Sequence, residues 1–171
     1  MEEDPVRMLL DGKKLLITGV LTDDSIAFSI ARVAQEAGAE ILLTGAGRGM
    51  SLTQRVARKL PITPDVLEMD VNSPEQIEAV AADVTRRWGR LDGAVHAIGF
   101  MPQDGLGGNF LNTPWESVAL GFQTSAFSLK AMSAGLLEPM KAAGKASVVS
   151  LPSDGRCARP HYTWMGAAKA G

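Results

Sequence analysis

Lys14-Leu15-Leu16-Ile17-Thr18-Gly19-Val20-Leu21-Thr22-Asp23-Asp24-Ser25-Ile26-Ala27 decides the fold of this chain. Lys14 to Thr18 reads as a buried strand that ends at Gly19. Ile26, Ile30, Val33, Ala34 and Ala37 then recur at helical spacing, behind Asp24 or Ser25 as the cap, and Gly38 closes the helix. Strand, glycine turn and helix follow one another within a single short segment.

The same alternation runs outward from it. Glu40–Thr44 is a second strand, and Leu52, Val56 and Leu60 mark a short helix stopped by Pro61. Val66–Met69 is a third strand. Ser73-Pro74-Glu75-Gln76 opens the next helix: Ser73 caps, Pro74 suits the first helical position, and Gln76 closes a capping box. Its buried stripe is Ile77, Val80, Ala81, Val84 and Trp88. Leu91–Ala97 is a fourth strand, followed by a Gly-rich loop from Gly99 to Asn112. Thr113-Pro114-Trp115-Glu116 repeats the capping logic and starts helix that reaches about Ala143. Ala146–Ser150 is a fifth strand, and the segment from about Pro160 reads as helix.

Strict alternation implies right-handed crossovers and a parallel sheet covered on both faces. The expected fold is therefore α/β, a three-layer doubly wound (Rossmann-like) sheet with ligands at the carboxyl ends of its strands. Residues 1–171 read as one dinucleotide-binding domain. Five strands are visible where folds of this order usually have six or more, so the sheet reads as incomplete at the C-terminus.

Composition narrows the function. A hydrophobic fraction of 46% and a charged fraction of 21% are those of a soluble globular protein. The net charge of −2, without a basic run, argues against nucleic acid and anionic membrane as partners. The start, Met1-Glu2-Glu3-Asp4, is acidic where a secretory signal would be basic. With one cysteine and two histidines, neither an intramolecular disulfide nor a metal site is expected. These features fit a cytoplasmic location.

Lys169 stands seven positions after Tyr162. If that stretch is helical, the two side chains lie two turns apart on one face. A phenol beside an ammonium stabilises an oxyanion next to a nicotinamide cofactor. Gly19 would let backbone approach a pyrophosphate at a helix N-terminus, although an ordinary turn explains it equally well. Gly45-Ala46-Gly47-Arg48-Gly49 reads as a flexible loop near the adenosine ribose. Acid is missing at this strand end, and Arg48 tolerates a 2′-phosphate, so NADPH is not excluded beside NADH. Asp70 and Val71 close the third strand, where Asp70 either accepts from adenine or caps the next turn. His96 and Cys157 read as a core residue and an incidental one, and His161 as a loop residue. Met101 and Met165 flank the expected site and suit an adaptable lipid-chain pocket.

Taken together, these residues resemble the NADH-dependent enoyl-acyl carrier protein reductases of bacterial fatty-acid synthesis, in their mycobacterial branch. The marks are Ile17-Thr18-Gly19 through Ser25-Ile26-Ala27, Arg32-Val33-Ala34-Gln35-Glu36, Leu43-Thr44-Gly45, Met69-Asp70-Val71, His96-Ala97-Ile98-Gly99-Phe100-Met101-Pro102-Gln103, and Tyr162-Thr163-Trp164-Met165 with Lys169. The resemblance implies that Gly19, Leu21, Ser25 and Ile26 line the pyrophosphate of NADH. It implies that Asp70 and Val71 hold adenine, and that Ile98, Gly99, Thr124 and Leu151 surround the nicotinamide half. Lys169 would bind the nicotinamide ribose. Tyr162 would hydrogen-bond the thioester carbonyl of a trans-2-enoyl chain borne by acyl carrier protein, and Phe100, Met101, Leu106 and Met165 would touch the acyl chain. A homotetramer is implied for full-length members, and is doubtful for this chain alone.

Three departures stand out. The family usually carries an aromatic residue between the fifth strand and the active tyrosine, where this chain has Leu151-Pro152-Ser153-Asp154-Gly155. Ala46 replaces an aromatic near the adenine. Family members also continue well past Gly171, so the chain is expected to be C-terminally truncated and poorly stable alone. Two other readings remain: a non-catalytic dinucleotide-fold fragment, and a short-chain ketone or alcohol reductase. The second places Lys four residues after Tyr, where this chain has Gly166.

Overall fold

A computed structural model describes residues 9–157 and 160–170. The first eight residues, with their acidic start, lie outside the described residues. Five strands form one sheet: β1 (Lys14–Ile17), β2 (Glu40–Gly45), β3 (Val66–Glu68), β4 (Gly93–His96) and β5 (Ser147–Ser150). Their order is β3-β2-β1-β4-β5, and every pairing is parallel. The helices are α1 (Ile26–Glu36), α2 (Arg48–Ala57), α3 (Pro74–Trp88), α4 (Trp115–Phe122), α5 (Ser128–Gly135), α6 (Leu137–Ala142) and α7 (Thr163–Ala170). This is the expected doubly wound α/β fold.

The alternation of side chains along each strand builds the three layers. Leu16 pairs with Leu42 on one side and Ala94 on the other, and all three face α3, α5 and α6. Ile17, one residue on, pairs with Leu43 and Val95 and faces α1 and α2. Leu16, Ile17 and Leu43 are fully buried, which stabilises the fold by about 1.5–3 kcal/mol for each such side chain.

Several local expectations need correction. Helix α1 forms where expected, capped by Ser25, whose Oγ accepts from Phe28 N. Its buried face is Ala27, Phe28, Ala31 and Ala34, whereas Ile26 and Val33 are exposed. Ser73 caps α3 by accepting from Gln76 N, but no capping box closes on it. The Gln76 amide oxygen reaches further back and accepts from Asp70 N at 2.6 Å. Thr113 does not cap α4, because its hydroxyl is engaged with the carbonyls of Asp104 and Asn109. The helix expected to follow does reach Ala142, as α4, α5 and α6, but it contains a π-helical turn, Gln123–Phe127, between α4 and α5. Finally, β5 is an edge strand whose Val148 and Val149 are exposed, so it is not covered on both faces. No helix among the described residues is long and apolar enough to cross a membrane.

Candidate active site

The carboxyl ends of β1, β2, β3 and β4 open onto one groove of about 510 Å³, lined from Gly19 and Leu21 through Gly45–Gly47 and Asp70–Asn72 to Ile98, Gly99, Phe100 and Thr124. Such a volume is ample for a nucleotide-sized ligand. Thr18 fixes the floor. Its buried hydroxyl donates to Val95 O and accepts from Ala97 N, tying the end of β1 to the end of β4. Gly19 follows with φ +80°, and a Cβ there would stand 2.0 Å from the Ala97 carbonyl oxygen. The glycine is thus required by the chain's own packing, whatever occupies the groove.

Much of the wall is bare backbone. A Cβ at Gly47 (φ +48°) would meet nothing within 4 Å, and one at Gly99 would only touch the Lys169 stem at 3.4 Å. The segment expected as a flexible loop instead enters helix at Arg48, with Gly47 at the cap position. Asp70 takes the turn-building one of its two alternatives. Its Oδ1 accepts from Asn72 N at 2.9 Å, building the turn before α3, and the residue also lines the groove. Open glycine backbone, apolar walls from Leu21, Val71 and Ile98, and one acceptor at Asp70 are the features that fit a dinucleotide.

A second cavity of about 440 Å³ adjoins this groove at Gly99 and is lined by Leu106, Ser153, His161, Tyr162, Met165 and Lys169. Lys169 Nζ donates to Ile98 O at 2.8 Å. Burial pushes the lysine's pKa below its usual value, and no carboxylate of the described residues pairs with it. Tyr162 is 47% exposed, and its hydroxyl has no hydrogen-bond partner among the described residues. It is not helical, contrary to expectation: it precedes α7, and its carbonyl accepts from Met165 N at 2.9 Å. Thr163, the next residue, takes φ +44°, a rare conformation for a β-branched side chain. The Gly-rich loop holds this corner. Thr163 bonds to Gly105 O, Gly107 N donates to His161 O, and Trp164 stacks on Phe110 at 4.2 Å.

Other expected residues sit elsewhere. Ser25 is engaged as the α1 cap, and exposed Ile26 stands beside it. Leu151 lines neither cavity, and its amide donates to His96 O. Met101 is buried against Gly105 and Gly121, packing beneath the site rather than lining it. Phe100 lines the first groove, not the cavity that holds Met165. His96 is a fully buried core residue, and Cys157 is a free, exposed thiol. Sequence reasoning missed Asn72, which lines the groove and donates through Nδ2 to Thr124 Oγ1 at 2.9 Å. It also missed Ser125, whose hydroxyl bonds both the N–H and the carbonyl of Phe100.

The strand order, with a ligand-sized groove at the strand ends and a tyrosine and lysine beside it, defines a Rossmann-like α/β protein. More narrowly, the chain belongs to the enoyl-(acyl carrier protein) reductase family, whose model matches residues 19–171. It is 44% identical over 166 residues to an enoyl-[acyl-carrier-protein] reductase [NADH] of Mycolicibacterium smegmatis, covering 95% of this chain and 61% of that protein. Similar proteins of the same printed name include one from Mycobacterium avium, 41% identical with 95% and 60% covered. Another, FabI of Neisseria meningitidis, is 40% identical with 94% and 62% covered. The chain thus spans about three-fifths of the length of these relatives.

Proposed function

We propose that this chain binds NADH and carries the proton-donor side of a trans-2-enoyl thioester reductase in fatty-acid synthesis, acting on chains borne by acyl carrier protein in the cytoplasm. The observation that carries the reading is the pairing of Tyr162 and Lys169 around one cavity that meets the groove at Gly99. The names of the similar proteins supply the cofactor and the substrate class.

Gly19, Leu21, Ser25 and Ile26 would hold the pyrophosphate, Asp70 and Val71 the adenine, and Ile98, Gly99 and Thr124 the nicotinamide half. Leu151 would contribute only from behind, through its bond to His96 O. Lys169, anchored on Ile98 O, would hold the nicotinamide ribose. When bound, NADH supplies hydride to the β-carbon of the conjugated double bond. Negative charge then gathers on the thioester oxygen. The free Tyr162 hydroxyl donates to that oxygen, and the Lys169 charge favours the anion. Leu106 and Met165 supply an apolar wall for the acyl chain, with Met101 as packing beneath. The glycine at the end of β2 and the absence of acid in the first turn of α2 leave room for NADPH as well.

The test is oxidation of NADH by the trans-2-dodecenoyl thioester of acyl carrier protein, with NADPH and a ketone substrate as comparison arms. Turnover of the enoyl thioester supports the reading. NADH binding without turnover leaves a cofactor-binding fragment, and turnover of the ketone alone overturns the proposal.

A further inference from the structure

His96 ends β4 with none of its surface exposed, and the chemistry above does not use it. A directed chain of hydrogen bonds runs through its ring. Ser128 Oγ lies 2.6 Å from the carbonyl oxygen of Thr124. A carbonyl has no proton to give, so the serine's single hydroxyl proton is committed there. The 2.7 Å contact between Ser128 Oγ and His96 Nε2 must then take its proton from the imidazole. His96 is therefore the Nε2–H tautomer, and its bare Nδ1 accepts from the Ser150 hydroxyl at 3.3 Å.

The chain ends on the π-helical turn, a backbone irregularity of the kind that gathers at functional sites. Thr124 lines the groove and accepts from Asn72 at the end of β3. Ser125 grips both backbone groups of Phe100 past the end of β4. The turn therefore joins two stretches of groove wall, and the imidazole registers it against β4 and β5.

We propose that His96 is a positioning residue: its Nε2–H, acting through Ser128, fixes the Thr124 carbonyl and so the π-helical turn that walls the dinucleotide groove. Its consequence for NADH rests on the proposed function; its consequence for the turn does not.

Three measurements on the whole chain test it. Nitrogen-15 spectra of the ring should show the Nε2–H tautomer, and an Nδ1–H tautomer overturns the proposal. In Ser128→Ala, the amides of Phe100 and residues 123–127 should exchange about tenfold faster, while those of α3 hold. The NADH Kd should rise by about tenfold in the same variant and stay within about threefold in His96→Gln, which keeps a donor toward Ser128. His96→Leu combined with Ser128→Ala should be no worse than the worse single variant, since both cut one chain. Unchanged or uniformly lost exchange protection, or a wild-type Kd retained in Ser128→Ala, overturns the positioning role. If the wild type itself binds no NADH while the turn still loosens in Ser128→Ala, the positioning role stands and the dinucleotide reading falls.

Discussion

Acidification from neutrality should destabilise this protein through His96. Burial, with the Lys169 charge as the smaller cause, holds the imidazole's pKa down at about 4 against an ordinary 6.5. The neutral ring is the folded form, so between these values the unfolded chain binds the extra proton. Stability therefore rises with pH across the window, is complete above 6.5, and is lost as pH falls toward 4. Integrated from about pH 7.5 to about pH 5, one such group removes about 2 kcal/mol. Glu40, held below the usual carboxylate range by hydrogen bonds from Lys14 and then Trp88, titrates lower down. Urea denaturation of wild type and His96→Gln at matched pH values isolates the term. The variant starts less stable, but its curve should be flatter by about 2 kcal/mol over the window. Curves parallel to within about 0.5 kcal/mol would refute the claim that the fold holds His96 neutral.

Gly19→Ala forces a Cβ to within 2.0 Å of the Ala97 carbonyl at φ +80°, and should lower unfolding free energy by about 3 kcal/mol or more. A loss under about 1 kcal/mol by denaturant titration would mean that the turn shifts freely. Ser73→Ala removes the α3 cap at a cost of about 1 kcal/mol, read from the thermal midpoint. Tyr162→Phe should cut enoyl-thioester turnover by about a hundred- to a thousandfold while fluorescence titration shows NADH affinity nearly unchanged. Equal loss of rate and affinity would remove the tyrosine from its assigned role.

The sheet was legible because parallel strands buried on both sides are continuous apolar runs, and Leu16–Ile17, Leu42–Leu43 and Ala94–Val95 each send neighbours to opposite layers. Helix positions were legible for similar reasons, but helix faces were not. Hydropathy favours burying Ile26 and Val33, yet α1 turns Ala27, Phe28, Ala31 and Ala34 inward and leaves those two exposed. The π-helical turn left no mark in sequence. Tertiary bonds gather on it: Thr124 and Ser125 within the turn, and Ser128 at the start of α5, bond to Asn72, Phe100 and His96, residues 25 to 52 positions away.

The site divides along the same line. Tyr162 and Lys169 could be named from residue type and spacing, and they do share a cavity, but not through the helix that the spacing suggested. Lys169 rides on α7, whereas Tyr162 is set by a strained Thr163 and by the Gly-rich loop clamped against it. Met101 shows the opposite limit. Its neighbours Gly105 and Gly121 leave a hollow that its thioether fills, so an apolar residue adjacent in sequence to the site becomes part of the core under it. Chemistry-bearing side chains announce themselves by type, while the residues that aim them are fixed by contacts distant in sequence. His96 belongs to the second group, and this is why its place on an apolar strand could put it in the core but could not show what it holds in register.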